Sequence, residues 1–189
     1  MDVYFKKEVS CKYNNKEFKF DIGNTLFSTF DIDHGTDVLL RAIKPNNPKT
    51  ILDIGCGYGV IGIVLAKTIP DAQFWMIDRD LLAVRYTEKN IQKNAITNAQ
   101  ALGSVGIEAV QNRTFDLIVS NIPAKLGDEA IIEEFIVKPH NHLNPGGELW
   151  VVVVNALNRL PHLVERKYKL RMLAIKKRKG HTVYLLKKN

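Results

Sequence analysis

The chain has 189 residues, of which 46% are hydrophobic and 25% charged, and its formal net charge is +7. This length and composition are typical of one globular domain with its own core, and they argue against a disordered or fibrous chain. The absence of an apolar run of about 18 residues excludes a helical membrane span. The first residues lack the apolar segment of a secretory signal, and two cysteines form no disulfide framework, which favours a reducing compartment.

We therefore expect a cytoplasmic protein with a single domain, 1–189, composed of an N-terminal β extension (1–30) and an α/β core (31–189). The first 20 residues alternate apolar and polar side chains, which predicts a strand pair that turns at Asn14–Asn15. The segment that begins at Thr36 is amphipathic and predicts a short helix that ends before Pro45.

From Thr50 onward, apolar runs typical of strands alternate with runs typical of helices. The predicted strands are "TILDI", "AQFWMID", Gln100–Leu102, "FDLIVS" and "ELWVVVVN", and the predicted helices are "GVIGIVLAKTI", "DLLAVRYTEKNIQKNA", 128–137 and 157–168. The "NPGG" stretch, Asn144–Gly147, predicts a turn, and "LRMLAI" and "TVYLL" predict an antiparallel hairpin. This order predicts a doubly wound, mostly parallel sheet with helices on both faces.

A glycine-rich stretch, "DIGCGYGVIG", follows the first core strand, where such sheets bind ligands. Glycine permits positive φ and lets a ligand approach the backbone closely, and the next helix offers unpaired amides. The spacing Gly57-x-Gly59-x-x-Gly62, with Asp78 at the end of the next strand, satisfies the dinucleotide fingerprint and would suit NAD. The spacing Asp53-x-Gly55-x-Gly57-x-Gly59 resembles motif I of class I S-adenosylmethionine-dependent methyltransferases. The loop alone does not decide between the two.

The stretch "SNIPAK", Ser120–Lys125, follows the "FDLIV" run. Ser, Asn and Pro all favour turns, so a simple turn is one interpretation. The other is a site, because Asn121 and Pro123 resemble the Asn-Pro-Pro-aromatic motif of methyltransferases that act on nitrogen, from which Ile122 and Ala124 depart. The Asn121 side-chain carbonyl and the Ile122 backbone carbonyl would accept N–H bonds from the target amine, and Pro123 would bias Ile122 toward an extended conformation.

The whole chain resembles the methyltransferase small family, which includes small-subunit ribosomal RNA guanine-N2 methyltransferases and compact archaeal relatives. The resemblance rests on motif I, the Asn121-x-Pro123 motif, the segment "LFSTFDIDHGTDVLL" and the C-terminal strands. It implies a Rossmann-like seven-stranded sheet with an antiparallel C-terminal strand, S-adenosylmethionine as the cofactor and no metal. The cofactor-binding residues that it implies are Thr36, Asp53, Gly55, Cys56, Gly57, Gly59, Asp78, Arg79, Ser104 and Asn121. The segment Phe27–Ser28 would lie over the cofactor, and Cys56 would be a small loop residue with no implied reactivity.

The C-terminal part of the chain is strongly basic. From His162 onward it has ten Lys and Arg residues and one acid, Glu165, and the densest part is "KKRKGH", Lys176–His181. Clustered cations bind a polyanion by releasing its counterions, although a solvated hairpin turn is the simpler interpretation. We expect RNA, of ribosomal origin, to bind this basic hairpin and the rim of the cleft.

One departure from the family pattern concerns the residue that would stack on the target base. Ala124 replaces the aromatic residue that would stack on a flipped base, and Phe27, Phe30 or Tyr58 are the candidates to substitute for it. The stretch "HNH", His140–His142, lacks further ligands at plausible spacing and favours a helix end over a metal site.

These features favour an S-adenosylmethionine-dependent N-methyltransferase that forms N2-methylguanine in ribosomal RNA. Three alternatives remain open at this point: methylation of a protein glutamine amide or a small-molecule amine, an RNA-binding module with a relic cofactor fold, and an NAD-linked oxidoreductase. The sequence predicts neither the target nucleotide nor the oligomeric state.

Overall fold

The computed structural model describes residues 2–26 and 32–189. The N-terminal strands β1 (Phe5–Tyr13) and β2 (Lys16–Gly23) form an antiparallel pair. Both turn residues, Asn14 and Asn15, have positive φ values, of 47° and 61°. A two-residue hairpin of this kind requires positive φ, which asparagine tolerates better than most residues. The predicted N-terminal hairpin is therefore confirmed.

The main sheet has seven strands in the spatial order β5-β4-β3-β6-β7-β9-β8. Strands β3 to β7 are parallel, whereas β9 is antiparallel to both β7 and β8. The predicted sheet, with its antiparallel C-terminal strand, is confirmed. The strand bounds are β3 (Thr50–Ile54), β4 (Gln73–Asp78), β5 (Ala99–Gly103), β6 (Phe115–Asn121), β7 (Leu143–Val154), β8 (Leu173–Arg178) and β9 (His181–Lys187).

Helices cover both faces of the sheet, and each face has its own buried cluster of apolar side chains. Successive residues of β3, such as Ile51 and Leu52, enter opposite clusters because strand side chains alternate between faces. No helix in the described part of the chain is long and apolar enough to cross a membrane. The helices are α1 (His34–Ala42), α2 (Val60–Thr68), α3 (Leu81–Lys93), α4 (Asp128–Ile132), α5 (Lys138–Asn141) and α6 (Leu160–Tyr168).

Helix boundaries differ from the predicted ones at two places. Helix α1 begins at His34, before Thr36, because the carboxylate of Asp33 accepts the Thr36 N–H at 3.0 Å and caps the helix. The helix predicted over 128–137 continues to Asn141 through a π-helical turn, Glu133–Val137, that separates α4 from α5. Phe135, in the π-helical turn, lies close to the glycine-rich loop at the carboxyl edge of the sheet. A Cβ built on Gly55 would lie 3.7 Å from the Phe135 ring.

The turn predicted at Asn144–Gly147 is wrong, because these residues form an irregular part of β7. Gly146 donates its N–H to the Lys188 carbonyl at 2.9 Å, and Lys188 donates to the Gly147 carbonyl at 3.0 Å, so the chain continues its pairing there. The extra residues are absorbed by a register shift opposite β6. Proline and glycine mark a bulge here, which their turn preference alone does not distinguish from a reversal.

Candidate functional site

The glycine-rich loop connects β3 to α2 at the carboxyl edge of the sheet. Gly55, Gly57 and Gly59 have φ values of 70°, 58° and 94°, a conformation that is strained for residues with a side chain. A Cβ on Gly57 would meet no atom within 4 Å. Glycine is therefore favoured at this position by the positive φ and not by tight packing. Gly62 serves a different purpose, since a Cβ there would lie 2.4 Å from Met76 Sδ. The loop is thus open at Gly57 and tightly packed at Gly62.

Two buried polar residues of α3 hold the loop, and sequence reasoning missed both. Thr87 donates its hydroxyl to the Gly57 carbonyl at 2.8 Å, and Asn90 donates its amide to the Tyr58 carbonyl at 2.8 Å. Asn90 also exchanges two hydrogen bonds with the backbone of Asp21 in the N-terminal hairpin. The hairpin, α3 and the glycine loop are therefore joined through one side chain.

Asp78 lies at the end of β4, beside the glycine loop. Its carboxylate accepts the Gly57 N–H at 2.9 Å and the Asp80 N–H at 3.0 Å, one bond to each oxygen. A carboxylate has room for further hydrogen bonds at both oxygens, so Asp78 can still receive a pair of hydroxyl groups. The neighbouring Arg79 is exposed. The structure thus brings Asp78 together with the loop, as the spacing predicts.

Asp53 is fully buried at the end of β3. Its Oδ2 accepts the Gly62 N–H at 2.9 Å, whereas its Oδ1 has no partner within the described residues. The pKa of this carboxyl is raised to about 7, chiefly by burial and in smaller part by nearby Asp78, against the opposing effect of the Gly62 hydrogen bond. A buried acceptor without a donor is costly, so this oxygen is a natural partner for a water or a ligand donor.

Cys56 is buried within the loop, and its thiol lies 3.6 Å from the Thr87 hydroxyl. Burial raises the pKa of this thiol well above its ordinary value. Because the thiolate is the reactive form, the structure gives Cys56 no nucleophilic role. It agrees with the prediction of a small packing residue in the loop.

Asn121 ends β6 next to the glycine loop. The preceding residue, Ser120, donates its hydroxyl to the Ile54 carbonyl at 2.8 Å, which ties the end of β6 to the end of β3. Asn121 itself donates from Nδ2 to Asp33 Oδ2 at 2.7 Å and to Thr36 Oγ1 at 3.1 Å. The structure therefore brings together Asn121 and Thr36, two predicted site residues, and adds Asp33, which sequence reasoning missed.

Gly35 packs closely beside Asn121, where no larger residue would fit. A Cβ on Gly35 would lie 3.2 Å from Asn121 Oδ1 and 3.0 Å from Cδ2 of His181, the first residue of β9. The half-buried His181 ring bonds through Nδ1 to the Lys179 carbonyl at 2.9 Å. Asp33 Oδ2, at 2.9 Å from the same Cβ position, Asn121 Oδ1 and the His181 ring thus all pack around Gly35.

The rest of the predicted asparagine-proline motif divides between core and surface. The Ile122 side chain is buried, and its N–H donates to the Val152 carbonyl at 3.0 Å, so only its carbonyl remains for a ligand. Pro123, Ala124 and Lys125 are exposed. Exposure of the proline fits a rim position beside Asn121.

Ser104 follows β5, but its hydroxyl is occupied within its own loop. It donates to the Gly106 carbonyl at 2.9 Å and accepts the Ala109 N–H at 3.1 Å, while the Ser104 N–H bonds the Asp78 carbonyl. Contact between this hydroxyl and a cofactor stays a prediction. Of the aromatic residues proposed to stack on a base, Tyr58 is buried and unsuitable, and Phe27 and Phe30 lie outside the described residues.

The histidines at 140 and 142 bond backbone carbonyls, His140 that of Lys187 and His142 those of Lys138 and Gln111. Within residues 2–26 and 32–189, no group of three or more His, Cys, Asp or Glu side chains could hold a metal ion. The polar groups described at the carboxyl edge are backbone amides, the acids Asp33, Asp53 and Asp78, and Asn121 with Thr36.

The β8–β9 turn also lies at this edge. Because β9 is antiparallel, its first residue, His181, pairs with Val154 at the carboxyl end of β7. Lys176 to Lys179 are all exposed, and within the described chain none of these four cations forms an ion pair. The basic turn and Asn121 therefore lie at the same edge of the sheet, where the parallel strands have their carboxyl ends.

Comparison with known proteins agrees with this geometry. The Bacillus subtilis protein YbxB, described as uncharacterized, is 32% identical over 187 residues, which cover 97% of this chain and 92% of that protein. The ribosomal RNA small subunit methyltransferase C of Haemophilus influenzae is 34% identical over 146 residues, or 76% of this chain and 43% of the relative. This chain thus spans less than half the length of that methyltransferase.

Solved structures share the fold. The Thermus thermophilus 16S rRNA N2-guanine methyltransferase, determined with S-adenosylmethionine and guanosine, has a TM-score of 0.83 and 26% identity, covering 97% of this chain and 50% of that one. A Pyrococcus furiosus methyltransferase has a TM-score of 0.69 and 21% identity, covering 90% of this chain and 89% of that one, and shows the fold alone. The family model "Methyltransferase small domain" matches residues 17–185. The match decides between the two interpretations of the glycine loop: the chain belongs to the methyltransferase small domain family.

Proposed function

We propose that this protein is an S-adenosylmethionine-dependent N-methyltransferase that acts on the exocyclic N2 amine of a guanine in ribosomal RNA. The observation that carries the proposal is the junction at the carboxyl edge of the sheet. There the Ser120 hydroxyl bonds the Ile54 carbonyl, so a loop suited to the cofactor adjoins an asparagine suited to an amine.

The donor and acceptor set fits the cofactor. Asp78 would hold the two ribose hydroxyls, and the open backbone at Gly57 would let the ligand lie against the loop. The partnerless Oδ1 of Asp53 would accept a hydrogen bond from the amino-acid part of the ligand or from a water bound to it. When bound, S-adenosylmethionine supplies a methyl group on a sulfonium, a leaving group that needs no protonation.

Asn121 would orient the target amine. An exocyclic amine conjugated with a ring is a poor nucleophile because its lone pair is delocalised. Asn121 Oδ1 and the Ile122 carbonyl can each accept one amine N–H, which turns the lone pair toward the methyl group. The nitrogen is cationic once the new bond has formed, and it becomes neutral by releasing one of its protons to water. Much of the rate acceleration would come from proximity and orientation.

RNA as the substrate is supported by charge and by the relatives. The exposed basic turn lies at the edge where Asn121 lies, and a groove lined by Lys176, Lys177 and Tyr184 adjoins it. The relatives named as ribosomal RNA methyltransferases include the one solved with guanosine. These observations favour RNA over a protein amide or a small-molecule amine, and the intact loop argues against a relic fold.

The test is methyl transfer from radiolabelled S-adenosylmethionine. Ribosomal RNA from cells that lack guanine-N2 methylation, in naked form and as small-subunit particles, is incubated with the protein, and the modified nucleoside is identified by mass spectrometry. We expect N2-methylguanosine. Transfer only to protein or to small molecules would redirect the assignment to those acceptors, and binding of NAD without binding of S-adenosylmethionine would refute the methyltransferase function.

A further inference from the structure

We infer that Asp33 is a positioning residue that fixes the orientation of the Asn121 amide toward the target amine. The inference rests on the proposed role of Asn121 and adds to it a residue 88 positions away in the sequence. Asp33 immediately precedes α1, whose first turn lies beside the end of β6.

The hydrogen bonds of Asn121 allow one orientation of its side-chain amide. Its Nδ2 carries two hydrogens, and two acceptors receive them: Asp33 Oδ2 at 2.7 Å and Thr36 Oγ1 at 3.1 Å. Among the described residues no protein donor reaches Oδ1. Rotation of the amide by 180° would bring Oδ1 against the Asp33 carboxylate, which has no hydrogen to donate. The acceptor end of Asn121 must therefore be turned away from the Asp33 carboxylate, and it lies beside Gly35.

The carboxylate is itself held in place. Asp33 Oδ2 also accepts the Thr36 N–H at 3.0 Å, so the helix start orients the same oxygen that orients Asn121. A hydrogen bond to an ionised acceptor is stronger than one between neutral groups, and chained hydrogen bonds polarise each other. Asp33 therefore makes Asn121 Oδ1 a stronger acceptor, and it places a negative charge near the nitrogen that becomes positive.

Three variants separate positioning from helix capping. Asp33→Ser keeps an N-cap acceptor for the Thr36 N–H, but its hydroxyl is too short to replace the bond to Asn121. Asp33→Asn keeps a carbonyl oxygen in the Oδ2 place and can retain both bonds. Asp80→Ser makes the same exchange at the start of α3, where Asp80 accepts the Leu82 N–H at 2.9 Å, and measures the stability cost of the exchange alone.

We expect Asp33→Ser to lower kcat about 10- to 100-fold, the effect of losing one charge-assisted hydrogen bond, with S-adenosylmethionine affinity within about threefold of the parent. Its unfolding midpoint should fall no further than that of Asp80→Ser. Asp33→Asn should recover most of the lost kcat. In an Asn121→Ala background, Asp33→Ser should lower kcat by less than about twofold, because no amide remains to be positioned.

The inference would be overturned if Asp33→Ser lowered kcat by the same factor in the parent and in Asn121→Ala. It would also be overturned if Asp33→Ser left the kcat of the parent unchanged. A second measurement is independent of activity and of the identity of the substrate. The side-chain amide resonance of Asn121, assigned by its loss in Asn121→Ala, should have two well-separated protons in the parent and in Asp33→Asn, and should move and broaden in Asp33→Ser. An unmoved resonance contradicts positioning even if the protein methylates no RNA.

Discussion

The Thr87 hydroxyl donates to the Gly57 carbonyl at 2.8 Å, so a helix residue 30 positions away determines the path of the glycine loop. The Gly57 N–H meanwhile bonds Asp78 Oδ2 at 2.9 Å. The peptide groups on the two sides of Gly57 are thus held from different elements, one from α3 and one from β4. The loop owes its shape to these contacts as well as to glycine.

Thr87→Val should weaken cofactor binding. Valine has nearly the same shape as threonine but leaves the buried Gly57 carbonyl without this donor, at a cost of about 1–3 kcal/mol in the free energy of unfolding. We expect the dissociation constant for S-adenosylmethionine, measured by calorimetry, to rise about tenfold. Thr68→Val is the matched control, because the Thr68 hydroxyl bonds only carbonyls of its own helix. Equal effects of the two substitutions would show that the loop does not depend on Thr87.

Gly62→Ala should destabilise the protein although alanine favours a helix. The new Cβ would lie 2.4 Å from Sδ of the fully buried Met76, and such overpacking costs about 1–3 kcal/mol, against a gain in helix propensity of about 1 kcal/mol. Urea unfolding should show the net loss. Gly127→Ala is the control, because a Cβ there would meet no atom within 4 Å. A more stable Gly62→Ala protein would mean that Met76 can move aside.

The stability of the protein should carry a pH dependence due to Asp53. Its pKa is raised from an ordinary value of 3.8 to about 7 in the folded protein, so between these values the folded state holds a proton that the unfolded state has released. Stability due to this group is therefore full below pH 3.8 and is lost as pH rises through about 7, by roughly 4 kcal/mol in all.

Asp53→Asn removes this titration. The difference in unfolding free energy between Asp53→Asn and the parent, measured in urea from pH 5 to pH 8, should grow in favour of the variant as pH rises. A difference that stays constant across that range would show that the buried carboxyl does not titrate there.

Asn121→Ala should strongly reduce methyl transfer and leave cofactor binding intact. The substitution removes the proposed side-chain acceptor for the amine, whereas the proposed cofactor contacts at Asp53, Gly57 and Asp78 are unchanged. We expect kcat to fall at least 100-fold, as when a group that orients the reactant is removed, with calorimetric affinity for S-adenosylmethionine within about threefold. Turnover equal to that of the parent would refute the role of Asn121.

Removal of two charges from the basic turn should weaken RNA binding in a salt-dependent way. Lys176→Gln with Lys177→Gln should reduce the slope of log affinity against log salt by about 1–2, since each lost phosphate contact contributes about 0.7–0.9. Lys44→Gln with Lys49→Gln removes the same charge before β3, at the amino edge of the sheet, and should leave the slope unchanged. Equal slopes in the two double variants would place the RNA elsewhere.

The sheet and the glycine-rich loop could be predicted from the sequence because the patterns that indicate them are local. Apolar runs with intervening helices determine a parallel sheet, and glycine spacing with Asp78 indicates a ligand site at its carboxyl edge. The family resemblance located Asn121. The bulge at Asn144–Gly147 could not be read in the same way, because turns and bulges use the same residues and only pairing with β6 and Lys188 distinguishes them.

The supporting residues were not predictable for a different reason. Thr87 and Asn90 occupy ordinary positions on an amphipathic helix, and only the docking of α3 brings them to the loop. Asp33 caps α1, and its second partner, Asn121, lies 88 positions away at the end of β6. Side chains that act through tertiary contacts carry no spacing pattern, so a buried polar residue on an otherwise apolar face, such as Asn90, is the nearest available signal.

The last two strands, β8 and β9, are placed in the sheet so that they should unfold locally as one unit. Strand β8 is made before β9 but lies outside it, and among the described strands its ladder partner is β9. Opening the seven residue pairs between β7 and β9 would therefore release both strands and the basic turn together. Amide hydrogens of β8 and β9 should then exchange in one cooperative event at a lower free energy than those of β3 and β6. Such an event would release the basic turn while the parallel core of the sheet remains folded.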